Sequence, residues 1–138
     1  MTDEKKILSD IFVDESDVVQ NLAKIVTKAK EIFVLEKKSG KIIFKNFSKL
    51  TNPERICSVL IGKYFSQRFG IIDDPSLSVS QLSADLNIPY TTLSSPLKSL
   101  QKSGLILSEK SRYRINPHRI EDIVDSINSK TLRKNTKK

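Results

Sequence analysis

The sequence predicts a mainly helical domain with a small amount of β structure, an α+β class. Three observations lead there. Apolar residues recur at helical spacing in three separate stretches, at 18–32, 56–65 and 79–100. Short β-rich runs stand between and after them. The last of these stretches is itself divided into two helical patterns by Asn87 and its neighbours, too little chain for anything but a sharp corner.

From Ser16, the positions Val18, Val19, Leu22, Ile25, Val26, Ala29 and Ile32 recur every three or four residues. That period predicts an amphipathic helix over 16–31, with Asp14 or Ser16 as its N-cap. Residues 1–14 are acidic and weakly patterned, as a frayed start would be. The runs 32–35 and 41–45 flank Ser39-Gly40 and read as a tight hairpin. Thr51-Asn52-Pro53-Glu54 is a helix start: a capping Thr or Asn, a proline in the first turn, and an acid at the positive end of the dipole. The helix after it offers Ile56, Leu60, Ile61, Tyr64 and Phe65 to a core and ends at Gly70. The organisation is then an extension over 1–50, a domain over 51–128, and a basic, disordered tail over 129–138.

The next stretch carries the functional reading. A short helix capped by Ser78 or Ser80 turns Val79, Leu82 and Leu86 inward, and the small Ser83 and Ala84 allow another helix to cross closely. Asn87 suits a left-handed turn residue, and Ile88 plugs the turn. A second helix repeats Leu93, Leu97 and Leu100 at i, i+4 and i+7. Lys102, Ser103, Gly104, Leu105 and Ile106 then close that helix and open a strand, and residues 107–115 read as strand, polar turn and strand before Pro117.

This pattern resembles the winged helix-turn-helix of bacterial and archaeal transcription regulators. The resemblance is tight over about forty residues and extends to about seventy-five if the helix after Pro53 is the domain's first. It implies that the second helix enters the major groove of double-stranded DNA. Opposite its leucines that helix presents Thr91, Ser95, Lys98 and Lys102, flanked by Thr92, Ser94 and Ser99, with no acid among them, and Tyr90 is a further candidate contact. Short hydroxyls permit close approach, and a lysine reaches either a guanine edge or a phosphate. No Arg, Asn or Gln stands on the front half, so direct base readout is modest. Pro96 either bends this helix or marks a later start. In the wing, Lys110, Arg112 and Arg114 lie within five residues; strand alternation puts Arg112 and Arg114 on one face, toward phosphate or the minor groove, and Tyr113 and Ile115 on the core side.

Charge supports the same region. The chain carries +8 overall, but residues 1–86 contribute only +1, residues 87–119 contribute +5, residues 120–128 contribute −3, and the last ten contribute +5. Segregated positive charge suits a polyanion, because each neutralised phosphate releases condensed counterions. A winged-helix module that binds an acidic protein inside a larger nucleoprotein complex is the alternative. RNA is a weaker one, since exposed aromatics for base stacking are not clustered.

Other chemistries lack their residues. One histidine, His118, and one cysteine, Cys57, build neither a metal site nor a nucleophile pair, so no catalytic residue, cofactor or metal is expected. His118 opens a helix containing Ile120, Ile123, Val124 and Ile127, and Cys57 reads as a small buried hydrophobe. No apolar run spans a bilayer and no secretory leader is evident, which points to a cytoplasmic protein without a membrane partner. The apolar face over 16–47 exceeds what three helices and a small sheet require. It packs onto the same core, or it makes a homodimer that would set two recognition helices one DNA turn apart.

Overall fold

The computed structural model of the protein describes residues 22–136, with side-chain surroundings for 22–130. The residues before Leu22, including the first turns of the helix expected over 16–31 and its candidate caps Asp14 and Ser16, lie outside the described residues. Within them the chain is a mixed α/β fold of five α-helices and two small antiparallel sheets. In order these are α1 (Leu22–Ala29), β1 (Phe33–Leu35), β2 (Ile42–Phe44), α2 (Asn52–Arg68), β3 (Leu77–Ser78), α3 (Val79–Leu86), α4 (Tyr90–Lys102), β4 (Ile106–Glu109), β5 (Arg112–Ile115) and α5 (Ile120–Thr136). Single 3-10 turns at Phe47–Lys49 and Pro117–Arg119 precede α2 and α5.

Helix α2 is the axis of the molecule. Its start is a capping box: Thr51 Oγ1 accepts from the Glu54 amide, and Glu54 returns its carboxylate to the Thr51 amide at 2.8 Å. Ten of its 17 residues are buried, from Ile56 to Ser66. A helix buried this far round has neighbours on several sides, and α2 packs against β1, α3, α4, α5 and β5. It ends as expected at Gly70, which takes φ +84° while the Ile71 amide reaches back to the Ser66 carbonyl at 2.9 Å. Cys57 is buried, and that burial pushes its thiol pKa up to about 12.

The N-terminal extension shares this core: Ile25, Ala29, Ile32 and Phe33 belong to one buried cluster with the residues of α2 to α5. Gly62 makes the fit close, since a Cβ there would lie 3.0 Å from Leu35 Cδ2. Strands β1 and β2 pair Leu35 with Ile42, so the connection is the longer loop 36–41 and not a tight Ser39-Gly40 turn. Glu36 organises it, its carboxylate accepting from the amides of Lys38 and Ser39 and from the Ser39 hydroxyl. Those bonds, the Lys38 amide first, hold its pKa below the usual carboxylate range. Gly40 sits in the left-handed region at φ +73° and is pressed against α2.

Helix α5 seals the other side. Its Ile120, Ile123, Val124 and Ile127 are buried, Glu121 and Asp125 both pair with Lys28 of α1, and Asn128 Nδ2 donates to the Lys28 carbonyl. Helix α5 runs to Thr136, and Lys130 pairs with Glu54 at 3.2 Å.

The second sheet has the order β3-β5-β4. Strand β3 is two residues long, just before the Ser78 cap of α3, and pairs Leu77 with Tyr113 and Ser78 with Arg112.

Candidate nucleic-acid interface

Helices α3 and α4 meet at the corner that the sequence marks. Ser78, not Ser80, caps α3, in a second capping box with Gln81. Asn87 closes the helix in the left-handed conformation, φ 56° and ψ 44°. The Asn87 and Ile88 amides both reach the Ser83 carbonyl, and Ser83 Oγ donates to the Ile88 carbonyl at 2.6 Å. Ile88 is half-buried against the core. Ser83 thus has a specific task at the corner, whereas Ala84, expected at the helix crossing, is exposed.

Helix α4 begins at Tyr90, which removes the later start considered for Pro96; that proline is half-buried within the continuous helix. Leu93, Leu97 and Leu100 form its buried stripe. Tyr90, Thr91, Thr92, Ser94, Ser95, Lys98 and Lys102 are all exposed. Thr91, Ser95, Lys98 and Lys102 follow at i, i+4, i+7 and i+11, one helical stripe. Gly104, at φ +80°, ends the helix while the Leu105 amide returns to the Leu100 carbonyl. Asn116 then joins the far strand to this end through its side chain on the Gly104 carbonyl and its amide on that of Leu105.

The hairpin β4–β5 turns on Lys110 and Ser111 alone, with φ +52° and +63°. Positive φ at both central residues is the signature of a type I′ turn, which Asn-Gly accommodates better than Lys-Ser. Ile106, Tyr113 and Ile115 face the core; Leu107, Glu109, Arg112 and Arg114 share the outer face.

The three wing cations are not equivalent. Lys110 and Arg114 are exposed. Arg112 is half-buried and held from the loop before β3: its Nε donates to Ser76 Oγ and its Nη2 to the Ser76 carbonyl, each at 2.8 Å, with Asp74 3.7 Å away. Asp74 is itself fixed by the Ser76 hydroxyl and amide, which with Arg112 keep its pKa low. Arg112 therefore ties the wing sheet to the 74–76 loop, a role that counting charges could not separate from phosphate contact. The Asp-Pro-Ser spacing is the one local hint, since an Asx turn aims that loop's oxygens together.

His118 is exposed, and its amide donates to Asn116. Among the described residues no group of three or more His, Cys, Asp or Glu could hold a metal ion, and no helix is long and apolar enough to cross a membrane. Compared with protein-family models, curated proteins and solved structures, the chain gives no significant match to any of them.

Proposed function

We propose that the chain is a winged helix-turn-helix DNA-binding protein, a transcriptional regulator that lays α4 in the major groove and the tip of β4–β5 on the backbone or in the minor groove. The observation that carries this reading is the outer face of α4: eight exposed hydroxyl or amine side chains and no acid over thirteen residues, on a helix held by a left-handed corner. The strand order that places β3 beside the hairpin supports it, because it joins the three helices α2, α3 and α4 to one small sheet. Thr91, Thr92, Ser94, Ser95 and Tyr90 supply close hydrogen-bonding contacts, and Lys98, Lys102, Lys110 and Arg114 supply the charge. Arg112 positions the wing.

Salt titration of binding to duplex DNA tests this. Lys98→Ala with Lys102→Ala should lower the log–log slope by about 2, and Arg114→Ala by about 1. Arg112→Ala should act chiefly on stability. Binding that ignores salt, or slopes unchanged by the lysine pair, would overturn the assignment. The second reading, a module that docks on an acidic protein, is favoured by Tyr90, an aromatic 63% exposed at the head of α4. A stoichiometric protein partner whose affinity falls with Tyr90→Ala, with no measurable DNA binding, would establish it.

A further inference from the structure

A recognition helix turns its N-terminal half to the base edges, and in α4 that half is Tyr90 to Pro96. In the major groove each base has its preferred protein partner. Guanine takes Arg or Lys, adenine takes Asn or Gln, the cytosine amine takes Glu or Asp, and the thymine methyl takes an apolar carbon. The first three kinds of partner are all missing from Tyr90 to Pro96. The long donors of the helix, Lys98, Gln101 and Lys102, stand in its second half.

The exposed side chains of the front half are Tyr90, Thr91, Thr92, Ser94 and Ser95. Serine hydroxyls bond to any base and select none. Apolar carbon comes from the methyl groups of Thr91 and Thr92, while the Tyr90 ring stands at the very head of the helix, off the stripe that Thr91 begins. Branching at Cβ confines a helical threonine to two χ1 rotamers, so each methyl is presented in a narrow range of directions.

We propose that α4 selects A·T-rich duplex DNA through thymine C5-methyl groups, which Thr91 and Thr92 receive. This rests on the DNA-binding reading above and adds to it the class of sequence preferred. The wing suits the same target. Arg114 is exposed on its outer face, and the narrow minor groove of A-tracts concentrates the negative potential that draws an arginine in.

The test measures binding of the full chain, at one salt concentration, to four duplexes of equal length. These carry alternating A·T, A·U, G·C or G·5-methylcytosine pairs. Burying one methyl group is worth about a fourfold change in affinity. The A·T duplex should therefore bind at least about fourfold tighter than the A·U duplex. Methylating cytosine, which puts the methyl in the same groove, should strengthen G·C binding by a similar factor. Uracil keeps the A·T pattern of the minor groove, so the first comparison isolates α4 from the wing. Thr91→Ser with Thr92→Ser removes both methyls and keeps both hydroxyls. It should erase the preference for A·T over A·U and leave the salt slope of A·T binding unchanged. Salt-dependent binding that is equal on A·T and A·U would overturn the methyl readout and leave DNA binding standing. No salt-dependent binding to any of the four would overturn both. A preference that survives in the serine variant would overturn the assignment to Thr91 and Thr92.

Discussion

Helices α2 and α4 are of similar standing in the sequence, each an apolar pattern with a clear start, yet the fold uses them oppositely. Helix α2 buries ten of 17 residues around its circumference and is touched from several sides, whereas α4 buries three of 13 in a single stripe. The first kind of helix is committed to holding the molecule together. The second spends a narrow face on attachment and keeps a wide one for something else, here a face of hydroxyls and lysines.

Substitutions can break or sharpen that contrast. The largest effects should come where both helices are fully buried: Leu60→Ala in α2 and Leu93→Ala in α4 should each cost about 2–5 kcal/mol in urea denaturation. A Leu93 variant of wild-type stability would mean that α4 is not seated by its stripe. Next is Gly40→Ala, which forces a side chain into φ +73° with its Cβ 2.6 Å from Ser66 Oγ of α2. It should lower stability by about 1–3 kcal/mol, and an unchanged melting temperature would refute the close approach of hairpin and helix.

Removal of the α2 cap by Thr51→Ala should cost about 1 kcal/mol and also alter the acid limb of the stability curve. Partial burial raises the Glu54 pKa, but the Thr51 amide and the Lys130 ammonium outweigh it and leave the carboxyl below its ordinary 4.5. A carboxylate depressed in the folded state stabilises above its unfolded pKa, and that stabilisation is lost as pH falls through the folded value. The wild type should therefore lose stability below about pH 4.5, and Glu54→Gln should flatten that limb; parallel curves would show that the box and ion pair carry no linkage. The smallest effect belongs to the outer face of α4. Ser95→Ala should leave stability within about 0.5 kcal/mol, and a larger loss would place that face in a packing role.

What was legible in the residues follows the range of the forces involved. The caps Thr51 and Ser78 and the left-handed Asn87 act within four residues, so the start of α2, the corner and both helices flanking it could be read directly. The exposure of every α4 candidate followed from the leucine period in the same way. Strand β3 could not be read, because two residues carry no periodicity and exist as a strand only through Arg112 and Tyr113, more than thirty positions away. The Ser76 partner of Arg112 could not be read for the same reason: alternation gives the face of Arg112, but only the fold brings Ser76 to its guanidinium. The pairing of Lys130 of α5 with Glu54 in the first turn of α2 is again a contact between distant parts of the chain.

The buried Cys57 has a practical consequence. A thiol that is 2% exposed and that deprotonates only near pH 12 is closed to alkylating reagents while α2 stays packed. As the one cysteine in the chain, it is a built-in clock for opening of the core: the rate at which a thiol reagent labels the unmodified protein reads how often α2 parts from its neighbours, with no engineered probe.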